Sequence, residues 1–131
     1  MSSVQKENTK PVVGLVGLGA MGKGVALNLL SKGYDVVGFD VNSEALRWLE
    51  SQGGKTSPSL RQGAGSVDIL ISFVVNDAQT ESALFGQDGA LESLQSHALV
   101  VTCSTMPPSY VQSLGKRLQA RGIGLVDAPV T

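Results

Sequence analysis

Val12-Val13-Gly14-Leu15-Val16 followed by Gly17-Leu18-Gly19-Ala20-Met21-Gly22 is an apolar strand run that passes directly into a G-x-G-x-x-G loop, with a helical stretch from Ala20 to Ser31 behind it. Strand, glycines and helix in that order are what a diphosphate cradle requires. Gly17 permits the tight turn, Gly19 lets the backbone approach an anion with no Cβ in the way, and Gly22 allows helix and strand to come close. The first turn of the helix, Ala20, Met21, Gly22 and Lys23, holds no Asp or Glu to offset the positive end of its dipole. Its unpaired N–H groups are therefore available to a negative ligand.

With 16 glycines in the chain, such a spacing arises readily by chance, so the context decides. Val36-Val37-Gly38-Phe39-Asp40 reads as a second buried strand closed by a carboxylate. Asp40 lies 18 residues beyond Gly22, near the spacing of an acid that holds an adenosine ribose. The competing reading makes Asp40 a turn residue or cap beside Asn42 and Ser43, both good N-cap types, and the two roles can coexist.

Strands are expected at Val12 to Val16, Asp35 to Phe39, Ile69 to Val74, Leu99 to Cys103 and Gly124 to Val126, with a very short one at Lys55-Thr56. They alternate with amphipathic stretches, which predicts an α/β fold of Rossmann type: a doubly wound, mainly parallel sheet with helices on both faces. Gly33 and Gly53 fall where helices end, and Ser57-Pro58 and Asn76-x-x-Gln79 read as N-terminal caps. Val111, Leu114 and Leu118 form the core-facing stripe of a helix between Pro108 and Gly122.

Composition narrows the function classes. At 131 residues, 42% hydrophobic and 16% charged, the chain suits one domain with a core of its own. Residues 1–10 read as a disordered tail and residues 11–131 as a single dinucleotide-binding domain. A net charge of −1 offers no footprint for nucleic acid and no polybasic attraction to a membrane. No apolar stretch reaches the roughly 18 residues of a bilayer span. Cys103 has no second cysteine to pair with, and Met1 to Lys10 has no apolar signal core. The expectation is a soluble, cytoplasmic protein with neither nucleic-acid nor membrane partners.

In a doubly wound sheet, ligands sit beyond the carboxyl ends of the strands, where the strand order reverses. That rule nominates Val74, Val75 and Asn76 as an adenine wall and Ser104, Thr105 and Met106 as a nicotinamide neighbourhood. Asn76 reads more readily as a helix cap than as a ligand, and Ser104 and Thr105 serve equally well as caps for the helix that begins near Pro107 or Pro108.

Three further strings carry a resemblance: Phe73-Val74-Val75-Asn76-Asp77-Ala78-Gln79-Thr80-Glu81, then Cys103-Ser104-Thr105-Met106-Pro107-Pro108, then Asp127-Ala128-Pro129-Val130-Thr131. With the opening loop, they resemble the β-hydroxyacid dehydrogenase family, whose coenzyme domain is related to that of 6-phosphogluconate dehydrogenase. The first two strings are more similar to the L-threonate dehydrogenase branch than to the hydroxyisobutyrate branch. The resemblance implies an oxidoreductase that moves a hydride between nicotinamide and a small hydroxy acid, with a lysine moving the proton. It also implies site residues beyond the glycine loop (Gly17, Gly19, Gly22): Ala20 and Met21 on the diphosphate, Asp40 on the adenosine ribose, Val75 near the adenine, Thr105 near the nicotinamide, and Thr131 on the substrate carboxylate.

Family members then continue with a Gly-Gly pair and a helical substrate domain that carries the catalytic lysine. Both are expected to lie past Thr131, so this chain is expected to bind coenzyme without turnover, and substrate only together with that domain. Members that choose NADP place Asn-Arg-Thr/Ser where Asp40-Val41-Asn42 stands here. A carboxylate at that point repels a 2′-phosphate, so NAD is favoured over NADP, although Arg47 one turn into the next helix keeps NADP in play.

None of Lys10, Lys23, Lys32, Lys55 and Lys116 is a catalytic candidate, and Lys23 reads as a solvated helix-surface residue. His97 precedes a strand, at the amino end of the sheet away from the expected site. Cys103 reads as a small buried hydrophobe with no cation nearby to activate it, and Trp48 as a packing or interface residue. Two other accounts compete with the coenzyme domain: a noncatalytic dinucleotide-binding or interaction module, and a methyltransferase-like domain, which also follows its first strand with glycines. An apolar edge left open by absent helices predicts a homo-oligomer.

Overall fold

Alternation along the first strand sorts its side chains onto two faces, and two separate hydrophobic clusters result. Val13, Leu15 and Val36 belong to one, with Leu18, Ala26, Ala45 and Leu49. Val16, Val37 and Phe39 belong to the other, with Val67, Leu70, Leu84, Val100, Leu114 and Leu118. A sheet buried on both faces needs such unbroken apolar strands. The computed structural model describes residues 10–129. Its elements are β1 (Val13–Val16), α1 (Ala20–Ser31), β2 (Val36–Phe39), α2 (Ser43–Ser51), β3 (Lys55–Thr56), α3 (Leu60–Gly63) with a 3-10 turn at Ala64–Ser66, β4 (Ile69–Ser72), α4 (Asp77–Phe85), β5 (Leu99–Thr102), α5 (Pro108–Gln119) and β6 (Gly124–Asp127).

The six strands lie in the order β3-β2-β1-β4-β5-β6, with every neighbouring pair parallel. The α/β, doubly wound Rossmann architecture expected from the sequence is the one observed. The order reverses between β1 and β4, whose register pairs Val16 with Ser72. Central strands end earlier than their apolar runs do: β4 stops at Ser72 and β5 at Thr102, rather than at Val74 and Cys103. The chain leaves β1 at Gly17, which adopts φ +97°, so β4 loses the neighbour that would have extended it.

Gly38 in β2 and Gly54 just before β3 leave room for one larger side chain packed over them. A Cβ on Gly38 would lie 2.3 Å from Leu49, and one on Gly54 would lie 2.6 Å from the same residue, so fully buried Leu49 on α2 fills the space above both. Gly33 and Gly53 follow α1 and α2 at φ +85° and +99°, as their positions predicted. The Ser57-Pro58 reading needs correction, because the cap of α3 is Ser59, whose hydroxyl accepts from Gln62 N–H. Ser57 instead donates to the Ser59 carbonyl and shapes the loop that leads in. Ala90, Leu91, Leu94 and Ala98, between α4 and β5, are also buried in the second cluster.

The two helices on that second face are joined by a charged clamp. Arg117 on α5 donates to both carboxylate oxygens of Glu81 on α4, at 2.9 and 2.8 Å, and its guanidinium lies 3.7 Å over the Phe85 ring. The Tyr110 hydroxyl donates to the same carboxylate at 2.8 Å. Hydrogen bonding from Arg117 holds the Glu81 carboxyl below its ordinary range against the opposing effect of burial, while burial and then Glu81 push the Tyr110 hydroxyl upward. A carboxyl whose pKa is lowered by folding contributes stability above its unfolded value of 4.5, and that contribution is lost as pH falls through the folded value. Both side chains are about two-fifths exposed, which limits the effect to under about 1 kcal/mol. Thermal melts between pH 6 and roughly pH 3 should therefore show a shallower acid slope in Glu81→Gln than in the parent. Identical slopes would count against the clamp.

Candidate functional site

β1, β2 and β4 bring their carboxyl ends to one rim, and a cleft of about 680 Å³ opens there beside the point of strand reversal. Val16, Gly17, Phe39, Asp40, Val41 and Val74 line it from the strand ends. Ser57, Pro58, Ser59 and Leu60 close one side, and Gln79, Ala83, Gln87 and Asp88 close the other.

The glycine loop is built by three contacts of different kinds. Gly17 N–H continues the sheet by donating to the Phe39 carbonyl at 2.9 Å. Leu18 is buried and packs in the α1–α2 cluster. Gly22, in the first turn of α1, presses against the Gly17 carbonyl so closely that a Cβ there would lie 2.2 Å from the oxygen. Gly19 differs from the other two. It is the exposed N-cap of α1 with φ −74° and ψ −165°, and a Cβ on it would meet nothing within 4 Å. Open space in front of that backbone is the room an anion needs.

α1 itself starts without any side-chain cap and without an acid in its first turn. α2 and α4, by contrast, carry both: Asn42 accepts from Glu44 N–H, Asn76 accepts from Gln79 N–H, and their first turns hold Glu44 and Asp77. α5 likewise starts without a side-chain cap or an acid in its first turn, but of the two bare starts α1 is the one behind the glycine loop, beside the point of strand reversal. Ala20 and Met21 are exposed in that first turn.

Asp40 stands at the end of β2, half-buried, with one oxygen accepting from Leu18 N–H at 2.6 Å and the other from Asn42 N–H at 2.9 Å. The turn reading of Asp40 is thereby realised, and each oxygen retains a further lone pair. Val75 is 75% exposed and lies outside the lining of the cleft, which Val74 joins instead. Its N–H is held at 2.8 Å by the Gln79 side chain. Asn76 is the cap of α4. Ser104 is buried and donates to the Val74 carbonyl, tying the two rim loops together, while Thr105 is exposed beyond β5. Neither caps α5, whose N-cap is Pro107. Thr131 lies outside the described residues, as do residues 1–9 of the expected tail.

The loop after β3 and the Gln87-Asp88 turn were not nominated from the sequence. The two-residue strand at Lys55-Thr56 was the available signal for the first, since any strand end belongs to the rim. Nothing in sequence marks the second, which the length of α4 carries to the cleft. Lys23 is not simply solvated: its ammonium lies 5.2 Å from the centroid of the half-buried Trp48 ring. His97 is exposed at the amino end of the sheet, 3.5 Å from Asp68. Cys103 is half-buried rather than buried, and burial followed by the Asp127 charge pushes its thiol upward, away from reactivity. Among the described residues no group of His, Cys, Asp and Glu could hold a metal ion, and no helix is long and apolar enough to cross a membrane.

A parallel sheet in the order 3-2-1-4-5-6, with a glycine loop and a bare helix start at the reversal, defines a dinucleotide-binding domain of Rossmann type. The sequence profile of the NAD binding domain of 6-phosphogluconate dehydrogenase matches residues 12–131, and the chain belongs to that family. L-threonate dehydrogenase of Cupriavidus necator is 40% identical over 119 residues, covering 91% of this chain and 40% of that protein. The 3-sulfolactaldehyde reductase of Escherichia coli is 36% identical over 118 residues, or 90% of this chain and 40% of the reductase. Among solved structures, 3-hydroxyisobutyrate dehydrogenase from Salmonella typhimurium superposes with a TM-score of 0.87 at 36% identity, over 93% of this chain and 42% of that one. The chain thus spans about two-fifths of the length of the curated relatives it matches. The methyltransferase-like reading gives way to this family assignment.

Proposed function

We propose that the chain is the coenzyme half of an NAD-dependent hydroxyacid dehydrogenase acting on a small hydroxy acid such as L-threonate or 3-hydroxyisobutyrate. The bare, acid-free start of α1 carries the reading, together with the open space at Gly19 and the carboxylate of Asp40 beside the cleft. In this reading the N–H groups of Ala20 and Met21 hold the diphosphate over Gly17, Gly19 and Gly22. Asp40 accepts from the ribose hydroxyls, and Val75 and Thr105 are assigned to the adenine and nicotinamide sides by resemblance. Thr131 is assigned to the substrate carboxylate by resemblance alone.

The coenzyme supplies a hydride donor and acceptor at C4 of its nicotinamide. This chain's residues bind it and fix its orientation, and in the whole protein a lysine beyond Thr131 is assigned the proton. Asp40 favours NAD, because a 2′-phosphate beside a carboxylate adds a like charge where a hydroxyl would donate a hydrogen bond. Calorimetric titration with NAD, NADP and S-adenosylmethionine should show NAD bound at least about tenfold more tightly than NADP. Tighter NADP binding would contradict the role of Asp40, and binding of S-adenosylmethionine alone would overturn the whole reading.

The β6 side supports the expected self-association. Val126 is 46% exposed, and a groove of about 540 Å³ runs between α5 and β6 along Val111, Gly115 and Leu125. Sedimentation velocity should show mass rising with concentration, and a strictly monomeric profile at high concentration would contradict it.

A further inference from the structure

Asp40 makes two backbone hydrogen bonds in the free protein, and one of them reaches back 22 residues to the glycine loop. The peptide joining Gly17 to Leu18 is the unit it grips. That peptide is trans, so its N–H and its carbonyl point in opposite directions. The Leu18 N–H points to the Asp40 carboxylate at 2.6 Å, and the Gly17 carbonyl oxygen faces the place that a Cβ on Gly22 would occupy, 2.2 Å away. Rotating the peptide would turn the Gly17 oxygen toward the carboxylate, where two acceptors repel, and would remove the contact that seats α1 on the loop.

We infer that Asp40 is a positioning residue for the diphosphate cradle: its carboxylate latches the Gly17-Leu18 peptide and so sets where the start of α1 points before any ligand arrives. The role is additional to the ribose contact proposed above, and it makes the two coenzyme contacts interdependent. A substitution of Asp40 meant to admit a 2′-phosphate also loosens the loop that must hold the diphosphate. Selectivity and cradle geometry cannot be altered separately at this position.

The latch concerns the loop that the functional reading assigns to the diphosphate, but amide hydrogen exchange tests it in the free 131-residue chain, so its failure is separable from failure of that reading. In Asp40→Ala, the Leu18 and Asn42 amides should exchange about tenfold faster, as expected for loss of a hydrogen bond to a charged group, while Leu15 and Val37 in the sheet keep their protection. Asp40→Asn retains one acceptor oxygen but places an NH₂ donor against the second amide, so at least one of the two amides should still exchange faster.

Inorganic pyrophosphate gives a second readout, because it has no ribose. Removing a negative charge would by electrostatics alone strengthen binding of this anion, whereas loosening the cradle should weaken it by about threefold or more. Faster Leu18 exchange with weaker pyrophosphate binding supports the latch. Unchanged Leu18 exchange in both variants, or tighter pyrophosphate binding on loss of the carboxylate, overturns it.

Discussion

Gly19→Val should remove NAD binding and leave the fold untouched. Gly19 sits in extended backbone that any residue adopts, and an added Cβ meets no atom within 4 Å, so the free protein accommodates a side chain there without strain. Val is a poorer N-cap than Gly by under about 1 kcal/mol, so the melting temperature is expected to fall by only a few degrees and the chain to stay folded at 25 °C. The open space is lost, however, and with it the approach of a diphosphate to the N–H groups of Ala20 and Met21. Two hydrogen bonds to a charged group at roughly 1.5 kcal/mol each correspond to a loss of affinity of at least about a hundredfold. Calorimetry and a thermal melt on one sample check both halves. Unaltered affinity would mean that the anion does not pass over Gly19.

Gly22→Ala should do the reverse and damage the structure first. The added methyl group would lie 2.2 Å from the Gly17 carbonyl, a backbone atom that cannot swing aside as a flexible side chain would. Helix propensity favours the alanine by up to about 1 kcal/mol, but overpacking against fixed atoms costs about 1–3 kcal/mol and sometimes more. The net expectation is a destabilised protein, with a melting temperature lowered by several degrees, about 2–8 °C per kcal/mol for domains spanning this size. NAD affinity should fall as well, since the start of α1 is displaced from the loop. A variant as stable as the parent would contradict the close seating of α1 on Gly17. The two glycines are three residues apart, yet one answers to the ligand and the other to the fold.

That distinction shows how far the sequence could be read. The strand-loop-helix order and the alternation of Val-rich runs with amphipathic stretches were enough for the parallel, doubly wound sheet, because strands buried on both faces need unbroken apolar runs. Asp40 was legible from its distance beyond Gly22. Its bond to Leu18 was not, since a contact across 22 residues depends on how β1 and β2 pair. The strand ends were overextended for a similar reason: Phe73 and Val74 are apolar enough to continue β4, but the neighbouring strand has already turned at Gly17.

The cap of α3 lies two residues past the Ser57 that the sequence favours, because Ser57 and Ser59 flank the same proline and only the fold decides which hydroxyl faces the Gln62 amide. The Glu81, Tyr110 and Arg117 clamp left no trace in sequence, since its members come from two helices separated by β5. The Lys23 contact is equally invisible in sequence, because its partner ring is on another helix. Local chemistry gave the elements and the loop, and pairing between distant elements determined which polar groups meet.

If the proposed function holds, the start of α1 grips a diphosphate while Asp40 holds the adjoining sugar. A crystal structure of the chain soaked in NAD tests it most directly. Phosphate oxygens should lie within hydrogen-bond distance of the Ala20 and Met21 N–H groups, with a ribose hydroxyl on the Asp40 carboxylate, which still holds Leu18 N–H. A nucleotide lodged elsewhere, or a start of α1 filled by side chains with NAD absent, would contradict it.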